Sequence, residues 1–171
     1  MPQFTNIAFT GAVKKMQSLS GSRASMQDLE RNGDTQSHLN AEMTQFVRAR
    51  TSAYIATASA AGQPYIQLRG GEPGFLNVVD STTLMMCEQP GNHHYITQGN
   101  ISENPNAMLF LMDYENRRRV KIWGEAFISF DGNLNALIGS PPDKQNQPVI
   151  VFKVKAWDEN CPKHIPPHSI V

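Results

Sequence analysis

The sequence is poor in cysteine, has no surplus of either charge and contains no long apolar run, and each shortage closes off a class of function. Its two cysteines, Cys87 and Cys161, stand far apart and form no Cys-x-x-Cys pair, which fits a reducing compartment better than a disulfide framework. Fifteen basic and fifteen acidic residues give a formal net charge of zero, so no polyanion-binding surface and no nucleic-acid partner is expected. No apolar stretch reaches the roughly 20 residues that a bilayer requires, and no basic segment leads into an apolar one at the N-terminus. The expectation is a soluble, cytoplasmic protein with no membrane partner. The glycine-rich signatures of dinucleotide folds and phosphate loops are missing, as is the Gly-x-Ser-x-Gly of hydrolases. His93 and His94 are adjacent and point in different directions on a helix, so they do not make the i, i+4 pair of a metal site, and no metal is expected.

What is present is a globular composition, 40% hydrophobic over 171 residues, enough for a single domain spanning residues 1–171 with a substantial core. The first fifty residues read as helices. Thr10 can cap one that carries Val13, Met16 and Leu19 and stops at Gly21. Ser22 can cap a second with Met26 and Leu29, closed near Gly33, and Asn40 a third with Met43, Phe46 and Val47, stapled by Leu39. Their apolar stripes are expected to pack against a sheet. From Ser52 the pattern turns to β. One hairpin turns at Ala60-Ala61-Gly62, between Ser52 to Ser59 and the strand that follows Gln63. A second joins Phe75 to Val79 with Thr83 to Cys87, and a third joins Ala107 to Met112 with Arg118 to Phe130. Val149 to Trp157 is a final strand. Gly91 to Glu103 holds a short helix ahead of Asn104-Pro105, and Asp131 to Gln147 is a connector with one helical turn. The predicted fold class is mainly β with flanking helices (α+β), a small antiparallel barrel. Its N-terminal helices cover about residues 9–50 and its barrel about 52–157, with a short C-terminal segment beyond.

The stretch from Gln63 to Leu76 organises the chemistry. Period-two alternation places Tyr65, Gln67 and Arg69 on one face and Ile66 and Leu68 on the other. A core wants the second pair, so the first set is expected to face something polar. The strand runs into Gly70-Gly71, where missing side chains let a flat or anionic ligand approach the backbone; an ordinary edge hairpin with a solvated face fits the same residues. Alternation through the basic run at Arg117 puts Arg119 and Lys121 on one face and Arg118, Val120 and Ile122 on the other. Arg119 and Arg69 can then both line a site for an anion, where arginine gives bidentate contacts; a solvated basic face is the alternative.

Five motifs occur in order: Pro-Tyr-x-Gln-x-Arg-Gly-Gly from Pro64, Gly-Asn-x-x-Tyr-Ile from Gly91, Asn104-Pro105, Arg-Arg-x-Lys-Ile-x-Gly from Arg118, and Asn-Cys-Pro-x-His-Ile from Asn160. Together they resemble a branch of the pyridoxamine 5′-phosphate oxidase-related family of FMN-binding split barrels. The resemblance implies a homodimer of split barrels with one FMN at each of two subunit interfaces, working as an oxidoreductase on a small-molecule substrate. It nominates Gln67, Arg69, Gly70 and Gly71 along the isoalloxazine and phosphate, and Asn92, Tyr95, Thr97 and Asn100 around the phosphate. Arg119 and Lys121 are expected to reach the cofactor from the partner subunit. Cys161, Lys163 and His164 are expected near the flavin edge, with Lys163 and His164 as candidate catalytic proton-relay groups. Two positions depart from the family pattern. His93 stands where many relatives carry arginine, which weakens a phosphate contact or makes it pH dependent. Gln67 stands where the vitamin enzymes have arginine, so vitamin B6 oxidation itself is not implied.

The chemistry of the ligand asks for the same parts. FMN joins a dianionic phosphate to a flat apolar ring system, so its site needs cations and hydroxyl or backbone donors at one end and an apolar wall at the other. Arg69, Arg119 and Thr97 can supply the first. Trp123, Trp157 or Tyr95 can supply the second, with core filling as the other role for the tryptophans. Cys161 reads either as a redox thiol beside the flavin or as a packing residue ahead of Pro162. Other classes of function fit the same sequence: a non-catalytic FMN carrier or sensor, or a split barrel that binds heme or a deazaflavin. Heme would draw an axial ligand from His38, His93, His94, His164 or His168. An oxidoreductase of this kind can also take electrons from a partner reductase.

Overall fold

Asn40 starts the helix that ties the N-terminal region to the sheet. The computed structural model describes residues 3–33, 36–88, 91, 93–140, 145, 147–160 and 163–166. In it the Asn40 side chain accepts a hydrogen bond from the Met43 amide at 2.7 Å, opening a helix over Ala41–Arg48. Met43, Phe46 and Val47 from this helix, with Leu39 before it, are buried in the hydrophobic core. Three helices precede it: α1 (Phe4–Ala8), α2 (Gly11–Leu19) and α3 (Arg23–Asn32), so the Asn40 helix is α4. Thr10 caps α2 by accepting from the Val13 amide, whereas the Ser22 side chain makes no cap bond to α3.

The apolar stripes of α2 and α3 do not cover the sheet as expected. Val13, Met16 and Leu19 are exposed, and no residue of α3 is buried. Helix α3 packs against both α2 and α1, and neither α2 nor α3 buries its stripe against a strand. Polar links hold them instead: Gln3 donates to the Gly33 carbonyl at 2.6 Å, Arg23 donates to Gln17 at 2.7 Å, and Lys14 pairs with Glu30 at 2.9 Å. The link to the barrel is Phe4, whose ring stacks on Trp123 with centroids 5.7 Å apart.

Seven strands follow: β1 (Ser52–Ala58), β2 (Pro64–Gly70), β3 (Asn77–Asp80), β4 (Thr83–Cys87), β5 (Asn106–Asp113), β6 (Arg118–Ser129) and β7 (Val149–Asn160). Helix α5 (Ile96–Glu103) stands between β4 and β5, and α6 (Gly132–Leu137) between β6 and β7. They form one antiparallel sheet in the order β2-β1-β5-β6-β7-β4-β3. β7 runs three residues past the expected end because β6 pairs with it from Ser129 opposite Val149 to Arg119 opposite Asn160. The fold is a split barrel, mainly β with flanking helices. No helix among the described residues is long and apolar enough to cross a membrane.

Register explains the orientation of β2, which is the reverse of the expected one. Gln67 lies opposite Ile55 and Arg69 opposite Ala53, and both β1 residues are fully buried. Cross-strand partners share a face, so Tyr65, Gln67 and Arg69 point inward. Ile66 and Leu68, expected in the core, are 61% and 56% exposed. On that outer face the row Leu68, Tyr54, Phe110, Lys121 crosses four strands.

The long pairing of β6 with β7 breaks register between Trp123 and Gly124. A Cβ at Gly124 would run into the Lys153 carbonyl and the Phe152 ring. Overpacking of this kind costs about 1–3 kcal/mol, so Gly124→Ala is expected to lower the melting temperature by about 3–10 °C in thermal denaturation.

Two carboxylates pair with arginines, Asp113 with Arg50 and Glu159 with Arg118. Burial raises the Asp113 carboxyl, but bonds from the Asn116 side chain and amide and the nearby Arg50 outweigh it and leave Asp113 below its ordinary range. The hydrogen bonds of Arg118 hold Glu159 low as well. Lowered folded values mean stability that is complete above the unfolded pKa near 4 and lost as pH falls through the folded values. Melting temperature measured from neutral pH downward should therefore drop below about pH 4, and the Asp113→Asn, Glu159→Gln double variant should show a flatter acid limb.

Candidate functional site

A cavity of about 410 Å³ opens between β2, the start of α5 and the end of β4, within the range of about 300–1,000 Å³ usual for small-molecule sites. The inward face of β2 supplies Tyr65, Gln67 and Arg69, and the segment before α5 supplies His93, His94 and Tyr95. Glu88 closes one end, anchored where its amide donates to the Pro148 carbonyl at 2.8 Å. Phe130, largely exposed, lies at the rim.

Helix α5 begins without a capping side chain. Its N-cap residue Tyr95 has a left-handed backbone (φ 53°), and so does His93 (φ 59°). The amides of the first turn have no intrahelical acceptor, and Ile96, Thr97 and Gln98 of that turn line the cavity. Such a turn favours an anion through both its free N–H groups and its dipole. The Thr97 hydroxyl donates to Gln67 Oε1 at 2.7 Å, joining α5 to β2, and His93 Nδ1 lies 3.1 Å from the Tyr95 hydroxyl.

Arg69 is the cavity's buried cation, 4% exposed, and Glu88 is its partner: Nη2 meets Oε1 at 2.6 Å. The contact is single. Arg69 Nε and Glu88 Oε2 are both buried with no hydrogen-bond partner. Burial pushes the Glu88 carboxyl above its ordinary range, and the opposing charge and hydrogen bond of Arg69 do not cancel that effect.

The sequence-derived candidates divide. Gln67, Arg69, Tyr95 and Thr97 converge on the cavity, as does His93. Gly70 and Gly71 do not. Gly71 sits at the end of β2, its amide donating to the Thr51 carbonyl at 3.0 Å, and a Cβ there would come within 2.7 Å of Phe75. Its bareness therefore serves local packing, and it lines a separate cavity of about 380 Å³ beside Phe75, Cys87 and Ser140. Asn100 is buried away from the cavity and donates to Thr57 on β1 at 3.1 Å. Arg119 and Lys121 lie on the outer face of β6, Lys121 in the row of Leu68. Lys163 and His164 are exposed beyond the end of β7 and do not line the cavity. Asn92 and Cys161 lie outside the described residues. Neither tryptophan forms a cavity wall: Trp157 is in the core, its indole N–H donating to the His38 carbonyl at 2.9 Å, and Trp123 stacks on Phe4.

Sequence reasoning missed Glu88. Its signal was a charged residue two places after Thr83 to Met86, a run in which every residue is buried; an ionised group in that place needs a partner.

The family model for pyridoxamine 5′-phosphate oxidase matches residues 39–161, well over half of the chain. No curated protein matches the sequence. Solved structures show the same fold at low identity. One is a candidate pyridoxamine 5′-phosphate oxidase from Lactobacillus delbrueckii, with TM-score 0.58 and 19% identity over 71% of this chain and 94% of that one. Another is HupZ from Group A Streptococcus, with TM-score 0.57 and 18% identity over 76% and 99%. A third is an FMN-binding protein from Syntrophomonas wolfei, with TM-score 0.51 and 11% identity over 86% and 97%. The strand that carries Gln67 and Arg69, the helix that closes the cavity and the long β6 and β7 pair all fall inside the matched segment, and the chain belongs to the pyridoxamine 5′-phosphate oxidase family.

Proposed function

We propose that the protein is a flavoprotein that binds FMN in the cavity between β2 and α5 and serves as an oxidoreductase for a small molecule. The observation that carries this reading is the convergence on one cavity of a buried guanidinium with an unspent Nε and the uncapped first turn of α5. That donor set suits a phosphate. Gln67, whose carbonyl is taken by Thr97, keeps its amide hydrogens for a ring carbonyl, and Tyr65 and Tyr95 offer aromatic surface. Bound FMN would supply hydride transfer, and the protein would supply binding, orientation and exclusion of water.

The reading extends to a homodimer. Ile66 and Leu68 form an exposed apolar pair on the outer face of an edge strand, Leu68 in register with Tyr54, Phe110 and Lys121. A second copy of the chain covering this face would bury the apolar pair and bring Arg119 and Lys121 to a partner's site. A carrier or sensor that holds FMN without turnover is the second reading, favoured by the position of Lys163 and His164 outside the cavity, which leaves this chain's cavity without those proton relays.

Titration with FMN, followed by flavin fluorescence, should show saturable binding by the purified protein. Thr97→Val should weaken it by up to about tenfold, because it removes the hydrogen bond of about 1–1.5 kcal/mol that holds Gln67 in place. An absorption spectrum with a Soret band in place of flavin bands would overturn the cofactor, and a flavin-loaded protein that leaves reduced nicotinamide unoxidised would favour the carrier. Sedimentation should show a dimer that Leu68→Asp converts to monomer, with flavin affinity falling in step.

A further inference from the structure

The pair formed by Arg69 and Glu88 is incompletely made. A settled arginine and carboxylate pair uses two parallel hydrogen bonds; this one uses Nη2 to Oε1 at 2.6 Å and leaves Nε and Oε2 buried without partners. The two side chains are 4% and 9% exposed, and both residues line the cavity. A buried guanidinium with an unspent donor can take another anion, and a buried carboxylate with an unspent oxygen is poised to give up its charge.

We propose that Glu88 is an internal counter-anion that competes with ligand phosphate for Arg69, so that binding of a phosphorylated ligand frees the guanidinium and leaves a proton on Glu88. The inference rests on the reading of this cavity as a site for a phosphorylated flavin. With Glu88 ionised, the buried cation of the cavity is already neutralised, and an incoming dianion meets a carboxylate. In the exchange, the contact between Nη2 and Oε1 is given up, a phosphate oxygen accepts the guanidinium N–H groups, and Glu88 takes one proton from solvent. No other bond changes. Burial already favours the neutral form of Glu88, and loss of the arginine contact together with the arrival of a dianion favours it further.

The titratable groups that line the cavity with Glu88 are Arg69 and Tyr65 from β2 and His93, His94 and Tyr95 from the segment leading into α5. Proton uptake on binding means that affinity for phosphate rises as pH falls, by at most about tenfold per pH unit for one proton. A ligand with the same ring and no phosphate asks for no exchange. Glu88 would therefore set the preference of the site between FMN and riboflavin, and the preference would change with pH.

The test is calorimetric titration of the full-length protein with FMN and with riboflavin, in buffers of differing ionisation enthalpy, from about pH 5.5 to 8. In the wild type, FMN binding should take up close to one proton more than in Glu88→Gln, and the ratio of FMN to riboflavin affinity should rise about five- to tenfold per pH unit on acidification. Glu88→Gln should bind FMN about tenfold tighter near neutral pH, with a flatter profile. His93, His94 and the phosphate's own ionisation near pH 6 are common to both proteins and cancel in the comparison. Equal proton counts and parallel pH profiles would overturn the proposal. Should Glu88→Gln not fold, the wild type decides alone, since equal proton uptake with FMN and riboflavin at about pH 7.5 or above, where the phosphate stays a dianion, overturns it. Should neither flavin bind, inorganic phosphate is titrated instead: proton-coupled binding sustains the role of Glu88 while removing the flavin reading, and absence of binding removes both.

Discussion

A guanidinium buried on an edge strand decides which way that strand faces. With Arg69 turned inward beside β1, the residues that alternate with it have only one direction left, and Ile66 and Leu68 are carried to the outside. Burial of charge and exposure of apolar surface are thus one choice made on β2. Holding Arg69 out of water costs several kcal/mol before its partner is counted, and Glu88 offsets part of that. The lining of the cavity and the outer apolar face are therefore linked through the pleat of seven residues, and a change that reversed one would reverse the other.

The division of labour across the fold follows from this. The central strands β5, β6 and β7, which contribute Leu109, Ile122 and Trp157 to the core, form a frame whose ion pairs, Arg118 with Glu159 and Lys155 with Glu125, do not line the cavity. The reactive-looking groups come from its margins: an edge strand, the residue after β4 and the first turn of α5. Margins have unpaired neighbours and can present side chains to a ligand, while the frame holds them at fixed separation. The bond from Thr97 to Gln67 and the one from Asn100 to Thr57 pin α5 to β2 and β1 at two adjacent levels.

Much of this was legible in the residues, and the failures have physical causes. The strands of the hairpins, the caps at Thr10 and Asn40 and the core positions of α4 follow from periodicity and capping chemistry. Alternation on β2 gave the correct partition of side chains and the wrong direction, because a period of two says which residues share a face and not which face is inside. The rule that apolar residues point inward failed where a polar cavity replaces the core. Helix α1 has five residues, too few for a periodic signal. Thr97 and Asn100 are three apart on one helix and are nominated together, but one reaches β2 and the other β1. Their spacing cannot separate them; the position of the strands beneath the helix does. Gly71 looked like a place for a ligand and is a place for Phe75. Glu88 could not be assigned from its own neighbourhood, since its partner lies 19 positions earlier, on another hairpin.

The left-handed residues His93 and Tyr95 carry a consequence for which amino acids these two positions can accept. A left-handed backbone costs most L-residues roughly 1–2 kcal/mol, a penalty that glycine escapes and asparagine partly escapes. Imidazole and phenol at these positions work against their own main chain. Backbone ease favours small or amide residues there, whereas the contact between the two rings favours aromatic ones, so a swap to glycine would relax the chain while stripping the cavity of its mouth.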